Sequence, residues 1–219
     1  MPINIGEASR KAESDEFWAA RGKAIDAFAM VEAGLCRLFS VFAGVDEYTA
    51  RVIFYKIRNM RNLDIIMQTL LHIKFPNEYD DFWKTLRKRV HTLGDQRNDI
   101  VHWHVTIGID GSGFSGIGLM PTDKLVYLNE QIVSRDLKGF RAECIFMANL
   151  CNQFWAFLVK EKHPGIMSAE KVQTWHGIFH KAIEYPPPNT HPLYPILEEL
   201  ENRQPPSPAS PQSSPTEPT

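Results

Sequence analysis

The sequence predicts a mainly α protein, an up-and-down bundle of four to five helices with a small β-hairpin or three-strand insertion between the third and fourth. Apolar residues recur at spacings of three and four over most of the chain, which is the period of a helix with one buried face. The connections between the first helices are short, and short connections place neighbouring helices antiparallel. At 219 residues and 43% hydrophobic composition, the chain is large enough for one domain with a substantial core.

Three long helices are predicted in the first half of the chain. The first spans about Ser14–Ala43 and ends at Gly44, and the second spans about Glu47–Ile73. The third starts near Asn77, a suitable N-cap residue, and continues into the segment GDQRNDIVHWH, residues 94–104. The apolar stripes of these helices are, in order, Phe28, Val31, Leu35, Leu38 and Phe42; Val52, Ile53, Met60, Leu63, Met67, Leu70 and Leu71; and Phe82, Leu86, Val90 and Leu93.

Residues 105–128 are predicted to form the β insertion. They alternate in polarity, contain β-branched residues and include the turn pair Asp110-Gly111. The glycines at 111, 113 and 116 match the G-x-G-x-x-G pattern of nucleotide-binding loops. A dinucleotide-binding fold needs a helix directly after this pattern, whereas strand-like residues follow here, and no other kinase motif is present. We therefore interpret these glycines as part of a hairpin turn.

Two more helices follow the insertion. Ser134 caps a helix that extends to about Lys162, and a fifth helix spans about Ser168–Ile183. Their stripes are Leu137, Phe140, Cys144, Met147, Cys151, Phe154 and Leu158, and then Val172, Trp175 and Phe179. Both helices therefore present one apolar face to the core.

The composition divides the chain into a body and two appendages. Residues 1–13 are predicted to be a flexible N-terminus, and residues 14–184 form the helical domain. Residues 185–219 are rich in Pro and Ser and have little to bury, so they are predicted to be a largely disordered tail with a helical turn or two at 193–203.

Charge, cysteines and hydropathy exclude several classes of protein. The net charge is −2, and most of that excess lies in the tail, so the overall charge gives no argument for nucleic-acid binding. Cys36, Cys144 and Cys151 form no C-x-x-C pair and are predicted to be buried thiols rather than disulfides or zinc ligands. No signal sequence or long apolar run is present, which predicts a cytoplasmic protein with no membrane span.

Arg97 is the unusual residue near the end of the third helix. Four residues after Leu93, it continues the buried stripe of Leu86, Val90 and Leu93. A guanidinium is rarely buried without a partner, because its desolvation costs several kcal/mol. Arg97 therefore needs a carboxylate, a bound anion, or a cleft or interface that keeps it hydrated.

Asp95, Asn98 and His102 share a second face of this helix, because they are spaced by three and four residues. Asn98 can hydrogen-bond His102 and orient its ring, and Arg97 is about 100° away around the helix. A histidine beside an anion-binding arginine suits acid–base catalysis of phosphoryl chemistry. The alternative is that these residues only cap the helix and pair among themselves. The supporting candidates are Asp95, Asp99 and His104.

Basic residues near this segment are candidates for RNA binding. They are Arg87, Lys88 and Arg89 on the third helix and Arg58 and Arg61 on the second. Basic helices beside an Arg/His site would suit a phosphate backbone, although such runs are more often solvated faces. The aromatic candidates for base stacking, which are more often core residues, are Tyr48, Tyr55, Trp83 and Trp103.

The pair His102-Trp-His104 permits a weaker alternative, a metal-dependent hydrolase. On a strand the two imidazoles would share a face, but a zinc site needs at least a third ligand. Other histidines are present at 72, 91 and 163, and nothing in the sequence pairs them with the first two. The sequence therefore predicts neither a metal nor another cofactor.

The segment RNDIVH, from Arg97 to His102, resembles the signature of the HEPN superfamily. That signature is an arginine followed after four to six residues by a histidine, with a polar residue, often Asn, Asp or His, directly after the arginine. Asn98 occupies this polar position. HEPN domains are helical bundles that carry the signature on an inner helix late in the bundle, and the predicted helix order is similar over about residues 14–162.

The resemblance implies a metal-independent endoribonuclease, in which two protomers place their motifs in one composite cleft. His102 would act as general acid or base around the 2′-hydroxyl and the leaving oxygen, Arg97 would bind the scissile phosphate, and Asn98 would orient His102. The expected product carries a 2′,3′-cyclic phosphate. Because members of the superfamily act as toxins, in phage defence and in RNA processing, the implied partners are RNA, a second copy of the chain, and an antitoxin or regulatory protein.

Two departures from the family pattern are the strand insertion at 105–128, which a minimal bundle lacks, and the residue two positions after the histidine. Many HEPN toxins that pair with a nucleotidyltransferase antitoxin have a tyrosine two residues after the histidine, and that tyrosine is the modified residue. His104 stands there in this chain, so this mode of regulation is not implied. Some HEPN domains are non-catalytic dimerisation or interaction modules, and this is the alternative prediction.

Overall fold

Seven helices and one two-stranded hairpin make up the parts of the chain that the computed structural model describes, residues 5–57, 59–110, 113–121 and 131–202. The helices are α1 (Ile5–Ala43), α2 (Glu47–Phe54), α3 (Met60–Lys74), α4 (Asp80–His102), α5 (Ser134–Val159), α6 (Ala169–Phe179) and α7 (Tyr194–Asn202). The strands are β1 (His104–Asp110) and β2 (Gly113–Met120). The prediction of a mainly helical protein with a small β insertion is confirmed, whereas the predicted number of helices was too low.

The centre of the molecule is the pair α1 and α5. The two helices run in the same direction, because Glu16 pairs with Lys138 early in both helices and Arg37 pairs with Asn152 late in both. Their facing stripes are buried, as the periodicity predicts. The most deeply buried residues of this pair include Phe17, Val31, Leu38, Leu137, Met147 and Phe154.

Helix α4 crosses this pair in the opposite direction. Phe82 at its start packs on Phe154 near the end of α5, with ring centroids 4.9 Å apart. Further along α4, Arg89 reaches back to Glu143 near the start of α5, with an Nη1–Oε1 distance of 2.9 Å. The end of α4, which carries the Arg/His segment, therefore lies toward the first half of α1.

The predicted second helix is in fact two helices. The side chain of Asn59 accepts hydrogen bonds from backbone N–H groups in the first turn of α3 and so caps a new helix. Because of this break the apolar stripe changes register, so Val52 and Ile53 are exposed while Ala50 and Phe54 are buried. The predicted stripe was correct for α3, where Leu63, Met67 and Leu71 are buried, but wrong for α2, and the cap residue Asn59 went unrecognised.

The break also changes the direction of the chain. Leu63 near the start of α3 lies beside Leu35 of α1, and Lys74 at the end of α3 donates to the carbonyl of Val41 near the end of α1. α3 therefore runs in the same general direction as α1. The prediction that the first two long helices are antiparallel neighbours was wrong, because α2 supplies an extra reversal.

The β insertion is an antiparallel hairpin of β1 and β2. Val105 pairs with Leu119, and the register shifts after Gly108. A third strand after β2 would fall mainly on residues 122–128, which lie outside the described residues, and Leu119 also forms an isolated antiparallel bridge with Ile132. Residues 111–112 and 122–130, which include the predicted turn, lie outside the described residues.

Regular secondary structure extends beyond the predicted domain limits of 14 and 184 at both ends. Residues 5–13 are helical and begin α1, as their Ala, Glu, Lys and Arg content favours. At the other end, Leu193 and Leu197 are buried, so α7 belongs to the core rather than to a free tail. The predicted disordered residues 203–219 lie outside the described residues.

One described helix, α5, is long and apolar enough to cross a membrane by length and composition alone. Half of its most apolar stretch is buried against other helices of the protein, which is typical of a core helix. α1 and α2 meet the same criterion only as a pair bent by 114°. These helices are therefore weak evidence for a membrane span.

Candidate functional site

Arg97 lies where the buried face of α4 meets its exposed face. Leu93, four residues before it, and Ile100, three residues after it, are both buried, whereas Arg97 is half-buried. The helical-wheel prediction that Arg97 continues the apolar stripe is therefore confirmed. Its side chain lies at the edge of the core and keeps access to solvent.

The charge of Arg97 is only weakly compensated. Its Nη1 donates to Oδ1 of Asn98 at 3.3 Å, and among the described residues no carboxylate forms an ion pair with it. Glu32 of α1 is the acidic group that interacts with it at longer range. Burial raises the pKa of the Glu32 carboxyl above its usual value, and the attraction of Arg97 offsets this only in part.

Asn98 and His102 are both exposed and lie one turn apart on the same face of α4. In the described part of the chain, no hydrogen bond joins them, although the sequence predicted one. The amide oxygen of Asn98 accepts a hydrogen bond from the Arg97 guanidinium instead, a donor that always carries its charge. The side chain of His102 therefore faces solvent without a fixed partner among these residues.

The three supporting candidates are spread around the end of α4. Asp95 is exposed, and Asp99 is half-buried with its backbone carbonyl accepting from the N–H of Trp103 at 2.9 Å. His104 is exposed but is the first residue of β1, so it does not continue the helix face of His102. Within the described ranges, no group of three or more His, Cys, Asp or Glu residues is arranged to hold a metal ion.

Arg21 of α1 holds the end of α4, and the sequence argument missed it. Its guanidinium donates to the carbonyls of Ile100 and Val101 at 2.9 and 3.1 Å, with a longer contact of 3.5 Å to Trp103. The last carbonyls of a helix have no partner within the helix and carry its negative dipole end, so a cation is stabilising there. Arg21 therefore fixes the turn that carries His102.

A simple test of the sequence would have found both Arg21 and Glu32. Arg21 lies four residues after Phe17, and Glu32 lies four residues after Phe28, so both fall on the apolar stripe of α1. This is the same position in the pattern that singled out Arg97 on α4. A charged residue on an apolar stripe indicates a partner on another element. Here both charged residues of α1 have their partners near the end of α4.

The predicted RNA-binding residues differ in how freely their charges are available. Arg87 pairs with Asp64, and His91 contacts the same carboxylate, with Nε2 at 3.2 Å from Oδ2. Arg89 is likewise held by Glu143, whereas Lys88 and Arg61 are exposed. Arg58 lies outside the described residues.

Burial also sorts the aromatic candidates. Trp83 is 3% exposed and belongs to the core, and Trp103 is half-buried. Tyr48 and Tyr55 of the α2 region are 79% and 56% exposed. Stacking on a base requires an open ring face, which both tyrosines have, but of the two only Tyr55 lines the cavity between α1 and α2.

Comparisons with protein-family models, curated proteins and solved structures found no match to this chain. The HEPN resemblance therefore remains a prediction that depends on the Arg97–His102 segment and its helical setting.

Proposed function

We propose that this protein is a metal-independent endoribonuclease of the HEPN type, with a composite active site at a homodimer interface. Arg97 and His102 are the catalytic residues. Asn98 is a positioning residue, because its amide oxygen accepts a hydrogen bond from the Arg97 guanidinium. The reaction needs no cofactor, and the site acts on RNA because the attacking group is the 2′-hydroxyl.

The weak compensation of Arg97 is the observation that supports this proposal best. A half-buried guanidinium at the edge of an apolar stripe, bonded to a neutral amide, retains most of its capacity to bind an anion. His102 lies exposed two positions after the buried Ile100, on the last turn of the same helix. An anion-binding group and an acid–base group on adjacent turns are what phosphodiester cleavage requires.

The proposed reaction is an internal transfer. The 2′-oxygen attacks the adjacent phosphorus, the bond from phosphorus to the 5′-oxygen breaks, and the products carry a 2′,3′-cyclic phosphate and a 5′-hydroxyl. One proton leaves the 2′-oxygen and one is delivered to the 5′-oxygen. His102 and the partner subunit's His102 supply the base and the acid, while Arg97 stabilises the negative charge that develops on the phosphoryl oxygens.

The openness of this site supports a homodimer. In a single protomer, the described residues leave Asn98 and His102 exposed to solvent. One protomer also provides only one copy of His102 for the two proton transfers. Bringing two such surfaces together by a twofold axis gives a self-complementary interface with both motifs in one cleft. It also excludes water around Arg97, which strengthens its interaction with phosphate.

Substrate chemistry tests this proposal. A labelled single-stranded RNA is incubated with the full chain in EDTA, beside the same strand with one 2′-deoxynucleotide at the preferred cleavage position. We expect cleavage of the RNA to a 2′,3′-cyclic phosphate end and no cleavage at the 2′-deoxy position. Cleavage at the 2′-deoxy position, or activity abolished by EDTA, would contradict the proposed mechanism and favour a metal-dependent hydrolase.

The second candidate function is a non-catalytic dimerisation or interaction module. The exposed apolar residues of α2 and α3 favour it, since such side chains often mark protein contacts. They are Val52, Ile53, Ile65, Ile66 and Ile73. If the chain captures a partner equally well with and without Arg97 and His102, and cleaves no RNA, this alternative replaces the first.

The biological role that fits the proposed activity is a cytoplasmic toxin or phage-defence effector. A free endoribonuclease of this kind needs restraint, so an antitoxin or regulatory protein is the expected partner. Expression of wild-type and His102→Ala chains in a bacterial host compares their toxicity directly.

A further inference from the structure

A cavity next to the candidate active site has the features of a nucleotide-binding subsite. It has a volume of about 240 Å³ and lies between α1 and the exposed side of α2. Its lining residues are Ala33, Cys36, Arg37, Glu47, Arg51 and Tyr55. Pockets that enclose drug-sized ligands are about 300–1,000 Å³, so this one suits a single planar ring.

Glu32 links the cavity electrostatically to Arg97. Glu32 interacts electrostatically with Arg97 of α4 and also with Tyr55 at the end of α2. Cys36, on the cavity wall, follows Glu32 by four residues and therefore lies about 6 Å further along the same face of α1. Glu32 thus lies between the cavity wall and the group that we assign to the scissile phosphate.

The cavity wall combines cations, an acceptor and an aromatic ring. Arg37 and Arg51 both act on the thiol of Cys36, together with Glu47, so the four groups lie close to each other. Part of the hydrogen-bonding capacity of Arg37 is already used, since its guanidinium donates to Oδ1 of Asn152 at 2.8 Å. Arg51 is exposed and, among the described residues, its side chain has no ion pair or hydrogen bond.

The remaining groups match the parts of a nucleotide. Tyr55 presents a ring that is 56% exposed, and it follows Arg51 and Glu47 at intervals of four residues on one side of α2. A base can stack on this ring, and the Glu47 carboxylate can accept a hydrogen bond from an N–H on the base edge. Arg51 lies between them and can bind the phosphate.

We propose that this α1–α2 cavity binds one nucleotide of single-stranded RNA next to the cleaved linkage, with Tyr55 stacking on the base and Arg51 contacting the phosphate. This deepens the proposed function and rests on it for the identity of the ligand. Tyr48 provides a matched control, because it is on the same helix, is more exposed than Tyr55, and does not line the cavity.

The test measures RNA binding separately from cleavage. Full-length His102→Ala protein is titrated into a fluorescein-labelled single-stranded RNA, and the dissociation constant is read from anisotropy. Adding Tyr55→Ala is expected to weaken binding about 5- to 150-fold, the range for loss of a base-stacking aromatic, while Tyr55→Phe stays within about twofold of the parent. Tyr48→Ala is expected to leave binding unchanged.

The role of Arg51 has its own readout. Arg51→Gln is expected to weaken binding and to reduce the slope of log Kd against log salt by about 0.7, the value for one phosphate contact on a single strand. Lys171→Gln, which removes an exposed charge on α6, is the control and is expected to leave the slope unchanged.

The possible outcomes separate this inference from the proposed function. Equal binding by the Tyr55→Ala and Tyr48→Ala proteins overturns the inference, even if the wild-type chain cleaves RNA. A change in oligomeric state with Tyr55→Ala, seen by sedimentation, also overturns it and assigns the cavity to a protein contact. Tyr55-dependent binding by a chain that never cleaves RNA supports the subsite and contradicts the nuclease.

Discussion

Glu32 is the residue whose charge most directly affects Arg97. It is half-buried on α1, and its partial desolvation outweighs the attraction of the guanidinium, so the pKa of its carboxyl is raised. A carboxyl with a raised folded-state pKa favours folding while it is protonated, and that contribution is lost as the pH rises through the folded-state pKa. Ionised Glu32 therefore opposes folding at neutral pH.

Replacing Glu32 by glutamine is expected to stabilise the protein at pH 7. The gain should be about 0.5 kcal/mol, the scale of a partly exposed site, and it should shrink toward pH 4, where wild-type Glu32 takes up its proton. Urea unfolding at several pH values measures this difference. Asp26→Asn, at an exposed position of the same helix, is the control, and a Glu32→Gln protein less stable than wild type at pH 7 would contradict the sign.

At the scale of elements, the end of α4 depends on α1 rather than on its own sequence. Arg21 donates to the carbonyls of Ile100 and Val101, which have no partners within the helix. This contact links the position of His102 to a residue on another helix. The site is therefore built by packing between α1 and α4, which no single segment of the sequence determines.

Arg21→Met is expected to loosen the last turn of α4. Methionine keeps the apolar stem but loses the charged hydrogen bonds, at a cost of about 1.5–3 kcal/mol. Hydrogen exchange at the amides of residues 99–103 should accelerate more than exchange in the middle of α4. The exposed Lys23→Met variant should change neither the stability of the protein nor the exchange rates of residues 99–103. Unaltered exchange in the Arg21→Met protein would show that Arg21 does not hold this turn.

Gly34 lies at a close approach of α1 to α5. A Cβ at Gly34 would lie 2.8 Å from Cβ of Cys151, whereas nothing lies within 4 Å of a Cβ at Gly22 on the same helix. Gly34→Ala is therefore expected to destabilise the protein by about 1–3 kcal/mol through overpacking. Gly22→Ala should stabilise it by up to about 1 kcal/mol through helix propensity. Thermal unfolding of both variants checks the opposite signs, and equal shifts would contradict the close packing.

Much of the fold follows from periodicity, and the exceptions have physical causes. The stripes of α1, α4 and α5 were predictable because each helix buries one continuous face. The break before α3 was missed because an N-cap by Asn59 is a local signal inside an otherwise periodic region. The pairing of Arg87 with Asp64 could not be predicted, since it depends on how α3 and α4 are placed relative to each other.

The candidate site was predictable to a similar degree. Arg97 was identified because it breaks the apolar pattern of α4, and the structure bears out its half-buried position. The spacing of Asn98 and His102 permits a hydrogen bond that the described structure does not contain, because the amide oxygen of Asn98 accepts from the Arg97 guanidinium instead. The α1–α2 cavity required the structure, since its walls come from two helices that meet at a bend.

At the scale of the whole molecule, the proposed activity requires two protomers. The specific activity should fall on dilution as the dimer dissociates, and sedimentation should show the same midpoint concentration. Both measurements use the full chain at one salt concentration, because surface electrostatics change with ionic strength. A monomer that retains full activity per chain would contradict the composite site.

The central claim, that Arg97 and His102 cleave RNA without a metal, is tested most directly by single-turnover cleavage in EDTA. His102→Ala and Arg97→Ala are each expected to reduce the rate at least about 100-fold, the scale for loss of an acid–base or charge-stabilising group. His104→Ala, a histidine two residues on that lies on β1, is the matched control and should retain activity within a fewfold of wild type. Undiminished cleavage by the His102→Ala and Arg97→Ala proteins would contradict the account.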